Sequence, residues 1–227
     1  MNVDLGGIAV CIGMPVYGRI PPHTTLSLAR TALACGAGGI KLSIVIEARG
    51  IVTWARDAVL DSFLKTDAQK LFWIDSDVAW EPETFLRLLA ISTLRDVVCG
   101  SYPSKTDVPT FQINGTGGPE ANDGLGLIPI NGVGLGFTVM DRVVCEALVK
   151  NATRSYDESL KRELPDVFGL PIRNGVRTGE DIAFFLDVAK AGFKAWLDPT
   201  LTLGHVGDKM WTGRAIDTLE RIDHAEG

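Results

Sequence analysis

Short apolar runs alternate with longer amphipathic segments through the first half of the chain. Residues 8–14 are apolar and end at Pro15, and residues 40–46 and 71–74 repeat the pattern. Such runs predict strands buried on both faces. Between them, residues 24–34 carry Leu26, Ala29 and Leu33, and residues 51–65 carry Val52, Ala55, Val59 and Phe63, all at helical spacing. Strand, helix, strand in this order predicts an α/β fold with a mainly parallel central sheet flanked by helices.

The pattern then loosens. Glu81-Pro82-Glu83 starts a helix running to Leu94, with proline at an early position and acids in the first turn. Residues 97–100 are a fourth strand, and the stretch to Pro129, rich in Gly, Pro, Asn, Asp and Thr, predicts loops and a small antiparallel portion. A strand over 136–140 and a helix over 141–150 follow. Residues 151–178 have no clean period and predict an excursion outside the core. A helix over 180–191 places Ile182, Phe185, Leu186 and Ala189 on one side and stops at Gly192. Short strands over 194–197 and 201–203 precede a polar tail, in which Gly207 to Trp211 is either a mobile lid or an idle end. The expected organisation is one domain over 1–227, with halves 1–105 and 106–207 and a tail 208–227.

With 46% hydrophobic and 22% charged residues, a folded soluble protein is expected. The net charge of -6 is not gathered into blocks, which leans away from a dedicated nucleic-acid binder. Cys11, Cys35, Cys99 and Cys145 lie in apolar surroundings without a CxxC pair, so free thiols in a reducing compartment are expected and a structural zinc site is not. The first residues show no signal-peptide pattern, and the longest charge-free stretch, 124–140, is broken by glycines and Pro129. A cytoplasmic protein with no integral membrane segment is expected.

Chemistry concentrates where the third strand ends, in Leu71-Phe72-Trp73-Ile74-Asp75-Ser76-Asp77. Two carboxylates emerge at the carboxyl end of a strand, where open α/β sheets bind ligands. Acids this close raise each other's pKa unless a cation or donor groups neutralise them. A hard divalent ion, Mg2+ or Mn2+, suits such oxygens and bridges phosphates as well. Helix capping by the same acids is the plainer alternative. A second acidic pair, Glu180-Asp181, opens the late helix, where capping by one of the two carboxylates is again the plainer alternative, and His205 follows a short strand near the end.

The order of these pieces resembles the GT-A glycosyltransferases, in particular the small bacterial or bacteriophage members similar to glycosyltransferase family 2. Met14-Pro15-Val16-Tyr17 looks like the first donor-binding loop, Ala55-Arg56-Asp57 like an Ala-Arg-Asn segment, and Val133-Gly134-Leu135-Gly136-Phe137 like the glycine-bearing strand on the acceptor side. The resemblance implies a nucleotide-sugar donor, a UDP-sugar by preference, with Mn2+ or Mg2+. It assigns Asp77, His205 and Asp75 to the metal, and Pro15, Tyr17, Arg56, Asp75, Ser76 and Lys105 to the donor. Gly134 and Gly136 go to the acceptor side, and Asp181, with Glu180 as its alternative, to proton removal from the acceptor hydroxyl. Asp57 departs from the family's Asn, which leaves that turn's role open. The implied acceptor is a surface glycan or a hydroxymethylated base in phage DNA.

Three other readings share parts of this pattern. A haloacid-dehalogenase-type phosphatase also places Asp-x-Asp after a buried strand, but here Ala79 stands where that family has Thr or Val. A nucleotidyltransferase would carry a glycine-rich Arg-Lys loop near Met14, and none is present. A non-catalytic sugar-binding protein would have no need of Asp75, Asp77, Asp181 and His205 together.

Overall fold

The expected alternation forms as β1 (Ala9–Val16), α1 (Pro22–Ala37), β2 (Lys41–Ala48), α2 (Val52–Leu64) and β3 (Lys70–Ile74). The computed structural model describes residues 3–115, 124–173 and 175–223. Next come β4 (Val78–Ala79), α3 (Pro82–Ile91), β5 (Val97–Cys99), β6 (Ile113–Gly115), β7 (Ile128–Val133), β8 (Phe137–Asp141) and α4 (Arg142–Asn151). Two hairpins follow, β9 (Thr153–Asp157) with β10 (Arg162–Asp166) and β11 (Ile172–Arg173) with β12 (Val176–Arg177). The chain continues through α5 (Glu180–Lys190), β13 (Ala195–Leu197), β14 (Leu203–Val206), β15 (Met210–Gly213) and α6 (Ile216–Asp223).

The main sheet has the order β2-β1-β3-β8-β5-β13-β7-β6. β1 is parallel to β2 and β3, and β13 to β5, whereas β8 runs against both its neighbours and β7 against β13 and β6. Six strands therefore point one way and only β8 and β7 oppose them, a mixed α/β architecture with a mostly parallel sheet. Within β3 the side chains alternate between two cores. Leu71 and Trp73 join Val59, Phe63 and Phe184 on one face, and Phe72 and Ile74 join Ile12, Phe85 and Leu88 on the other. Each such fully buried side chain contributes roughly 1.5–3 kcal/mol. A Cβ on Gly13 would lie 2.5 Å from Val59 Cγ1, so α2 rests directly on the backbone of β1. That close approach fixes where Arg56 stands. Among the described residues no helix is long and apolar enough to cross a membrane.

Two expected helix faces are corrected. α1 buries Thr24, Ser27, Thr31 and Cys35, while Leu26, Ala29 and Leu33 face outward, Leu33 being 76% exposed. The cause is Trp80: its backbone N–H donates to Ser27 Oγ at 3.0 Å and its indole N–H to Thr31 Oγ1 at 2.8 Å. A tryptophan edge needs acceptors, and a polar stripe supplies them. α5 buries Ala183, Phe184, Phe185 and Val188, so Leu186 and Ala189 lie outside. Here Phe184 stacks on Phe168, centroids 5.0 Å apart, and turns the helix toward it.

Phe168 belongs to the stretch expected to stay outside the core. It is fully buried and also meets Trp73 edge-on at 5.3 Å. Asp57 anchors this return: its Oδ1 accepts the N–H groups of Val167 at 2.9 Å and Phe168 at 3.2 Å. Asp57 thus acts through an oxygen that an Asn at this position would also possess. The expected polar tail likewise has structure, since β15 pairs with β14 and α6 follows.

Candidate functional site

Arg56, on the buried side of α2 and 2% exposed, organises the carboxyl end of the sheet. Its Nη2 lies 3.2 Å from Asp75 Oδ1, and its Nη1 lies 3.6 Å from Glu180 Oε1 and in a short hydrogen bond with Asp181 Oδ1. Burial alone would weaken the guanidinium's hold on its proton, but Asp75, Asp181 and Glu180 outweigh it and push the pKa up. Asp181 shifts up as well. Burial is the main cause, Arg56 opposes it, and Asp75 and Glu180 add to it. A carboxylate in that state has the affinity for a proton that a general base needs.

Asp75 follows β3 beside β8, with its N–H donating to the Gly136 carbonyl at 3.0 Å. Its Oδ2 accepts the Tyr102 hydroxyl at 3.0 Å. A Cβ on Gly136 would lie 2.2 Å from that same Oδ2, and a Cβ on Gly134 would lie 2.9 Å from the Tyr102 oxygen. Gly136, expected on the acceptor side, makes room for Asp75. Asp75, expected to ligate metal as well as donor, has its carboxylate held between Arg56 and Tyr102. Tyr102 itself went unassigned in the sequence. It stays a neutral donor because burial, with Asp75 and Asp181 nearby, raises its pKa. The available signal was its position just past β5, at the ligand-binding edge.

Asp77 and His205 meet through a short sheet that no apolar run announces. β4 pairs with β14, setting His205 opposite Val78, and Val206 N–H donates to the Asp77 carbonyl at 2.7 Å. His205 Nε2 is then 3.3 Å from Asp77 Oδ2, and Lys105 Nζ is 2.7 Å from the same oxygen. Burial would raise the Asp77 pKa, but hydrogen bonds and charge from His205 and Lys105 bring it down to about 2. His205 Nδ1 is 2.9 Å from the Pro103 carbonyl and must donate to it. The Nε2 then donates to the Asp77 carboxylate when the ring is charged, and in the neutral ring it offers a lone pair beside that carboxylate to a cation. Among the described residues no three His, Cys, Asp or Glu side chains gather closely enough to hold a metal by themselves. An ion held by this carboxylate and this imidazole would have to keep waters and take its remaining oxygens from phosphate.

Two clefts open here, of about 330 and 310 Å3. The first is lined by Pro15, Tyr17, Arg56, Asp75, Ser76 and Asp77, and the second by Tyr102, Gln112, Asn114, Gly134 and His205. Glu180 and Asp181 belong to both walls. Of the residues named from sequence, Lys105 and Gly136 stand apart from both linings, Lys105 reaching in through Asp77 and Gly136 lying against Asp75.

No protein-family model matches the chain, and no curated protein matches its sequence. Its fold is shared. The crystal structure of A197 from STIV aligns over 92% of this chain and 91% of its own, with 21% identity and a TM-score of 0.59. The crystal structure of GalNAc-T7 with UDP, GalNAc and Mn2+ aligns over 88% of this chain and 44% of its own, with 11% identity and a TM-score of 0.49.

Proposed function

We propose that this chain is a divalent-cation-dependent glycosyltransferase of the GT-A type, moving a sugar from a nucleoside-diphosphate donor, UDP-linked by preference, to an acceptor hydroxyl. The observation that carries the reading is the shared wall: Glu180 and Asp181 stand between a cleft bearing Asp75-Ser76-Asp77 and a second cleft able to admit an acceptor. Charge supports it further. Asp75, Asp77, Glu180 and Asp181 outnumber the cations around them, Arg56, Lys105 and the cleft-lining Arg19, so a divalent ion would meet net negative charge there.

In this reading Pro15 and Tyr17 flank the nucleobase, and Asp75 and Ser76 meet the ribose or donor sugar. Asp77 and His205 would hold Mn2+ or Mg2+, which when bound offsets the negative charge growing on the departing diphosphate. Arg56 keeps Asp75 and Asp181 in register. Asp181 keeps one oxygen on Arg56 and uses the other to take the acceptor's proton. The acceptor oxygen bonds to the anomeric carbon as the bond to the diphosphate breaks, so the leaving group carries away the electron pair. Residues 1–105 supply most of the donor side and 106–207 most of the acceptor side. An acidic chain favours a glycan over DNA as acceptor.

The test is a screen of UDP-, GDP- and dTDP-sugars with Mn2+ against glycan and hydroxymethylated-DNA acceptors, read by mass spectrometry. Release of a nucleoside diphosphate with a matching mass gain on an acceptor is the expected result. No release from any donor would remove the proposal.

A further inference from the structure

β2 is an outer strand of the main sheet, and among the described residues it pairs only with β1, in an unbroken register of eight residues. Its hydrogen bonds reveal which groups are left over. Lys41 N–H donates to Ile8 and Arg49 N–H to Val16, so the odd-numbered residues bond to β1. Leu42, Ile44, Ile46 and Ala48 therefore turn their N–H and C=O groups outward. Ile44 and Ile46 are 41% and 47% exposed, and the strand contains neither proline nor bulge to blunt it. Such an edge is a template for another strand.

We propose that β2 pairs antiparallel with β2 of a second copy, about a two-fold axis through Ile44, joining two sheets into one. The sequence Lys41-Leu42-Ser43-Ile44-Val45-Ile46-Glu47 is self-complementary in this register. Ile44 faces its own counterpart and Leu42 faces Ile46, and these are the residues whose backbone groups point outward, so they form the hydrogen-bonded pairs. Lys41 faces Glu47 and Ser43 faces Val45 in the pairs between, where side chains approach most closely. Two Lys41–Glu47 contacts flank an aliphatic ladder, and each set stays on one face because the strand alternates. Neighbouring registers are worse. A slip of one residue sets outward backbone groups against inward ones, and a slip of two puts Lys41 opposite Val45 or opposite Arg49. The interface is isologous, as a two-fold dimer requires.

The mass in solution and a register-specific cross-link test this without reference to any activity. Light scattering at about 100 μM chain, ample for a modest interface, should give twice the 24.4 kDa of the chain. Ile44→Lys should halve that mass while circular dichroism stays unchanged. Mixed under oxidising conditions, Lys41→Cys and Glu47→Cys proteins should form a disulfide-linked pair, because opposed residues of this kind have Cα atoms about 4.5 Å apart. Either variant alone should not, and the native cysteines are all buried. A monomeric wild type, a dimer indifferent to Ile44→Lys, or cross-linking as strong in the single-variant samples as in the mixture overturns the proposal. Should Ile44→Lys fail to fold, the cross-link decides.

Discussion

Lys105 places its ammonium 2.7 Å from Asp77 Oδ2, the oxygen that His205 Nε2 approaches at 3.3 Å. A monovalent side chain thus stands in the one position where a carboxylate and an imidazole converge. On the proposed function, Mn2+ would have to displace it. Lys105→Met should therefore bind Mn2+ more tightly, by up to about fivefold, the worth of one partly exposed ion pair at no more than roughly 1 kcal/mol. Asp77→Ala should abolish binding. Calorimetry with the metal alone reads both, and equal affinity in Lys105→Met and wild type would contradict the competition.

Gly136 touches Asp75 so closely that a methyl group cannot be added without moving the carboxylate. Gly136→Ala should keep the fold, since no left-handed backbone is required there, and lower kcat about a hundredfold by misplacing a donor contact. Gly134→Ala should cost less, because a phenol oxygen at 2.9 Å yields more readily than a carboxylate at 2.2 Å. Steady-state kinetics beside thermal melts separates this from unfolding; equal losses in both variants would argue against the positioning of Asp75.

Asp181 shares Arg56 with Asp75 and Glu180, and its raised pKa means that it takes up its proton at a higher pH than an ordinary carboxylate does. A base must be ionised, so turnover should fall on the acid side of that pKa. Asp181→Asn should lose about 10²–10⁴ in kcat and flatten the acid limb while leaving donor binding in place. A variant that kept its acid limb would assign the titration elsewhere.

Asp57 is pushed up to about 7 by burial, against the two N–H groups it accepts and with Asp166 adding to the rise. Its ordinary value is near 3.9. Between these limits the folded chain binds a proton at Asp57 that the unfolded chain has released, so this group's contribution to stability is full below about pH 4 and is lost as pH rises through about 7. Asp57→Asn keeps the acceptor oxygen and removes the titration. It should exceed wild type in stability at pH 8 by on the order of 2 kcal/mol and differ little at pH 4. Urea unfolding at the two pH values measures this, and a difference independent of pH would sink it.

The α/β class, the strand leading to Asp75, and a cluster of acids at its exit were legible in the sequence because a buried parallel strand must be apolar throughout. Faces were harder. α1 turned Thr24 and Thr31 inward and Leu26 and Leu33 out because Trp80, distant in sequence, needed acceptors, and α5 rotated so that Phe184 could stack on the equally distant Phe168. Tyr102 escaped notice because one tyrosine in a loop has no period to betray it.

What the chain's own order of residues determined is the alternation of buried strands and helices and the inventory of acids, one arginine and one late histidine. Tertiary structure alone decided that Arg56 would tie Asp75 to Asp181, that β4 and β14 would bring His205 to Asp77, and that Gly136 would lie under Asp75. Periodicity records only which residues avoid water. Meetings between residues far apart in sequence depend on strand register and close packing, which no local pattern encodes.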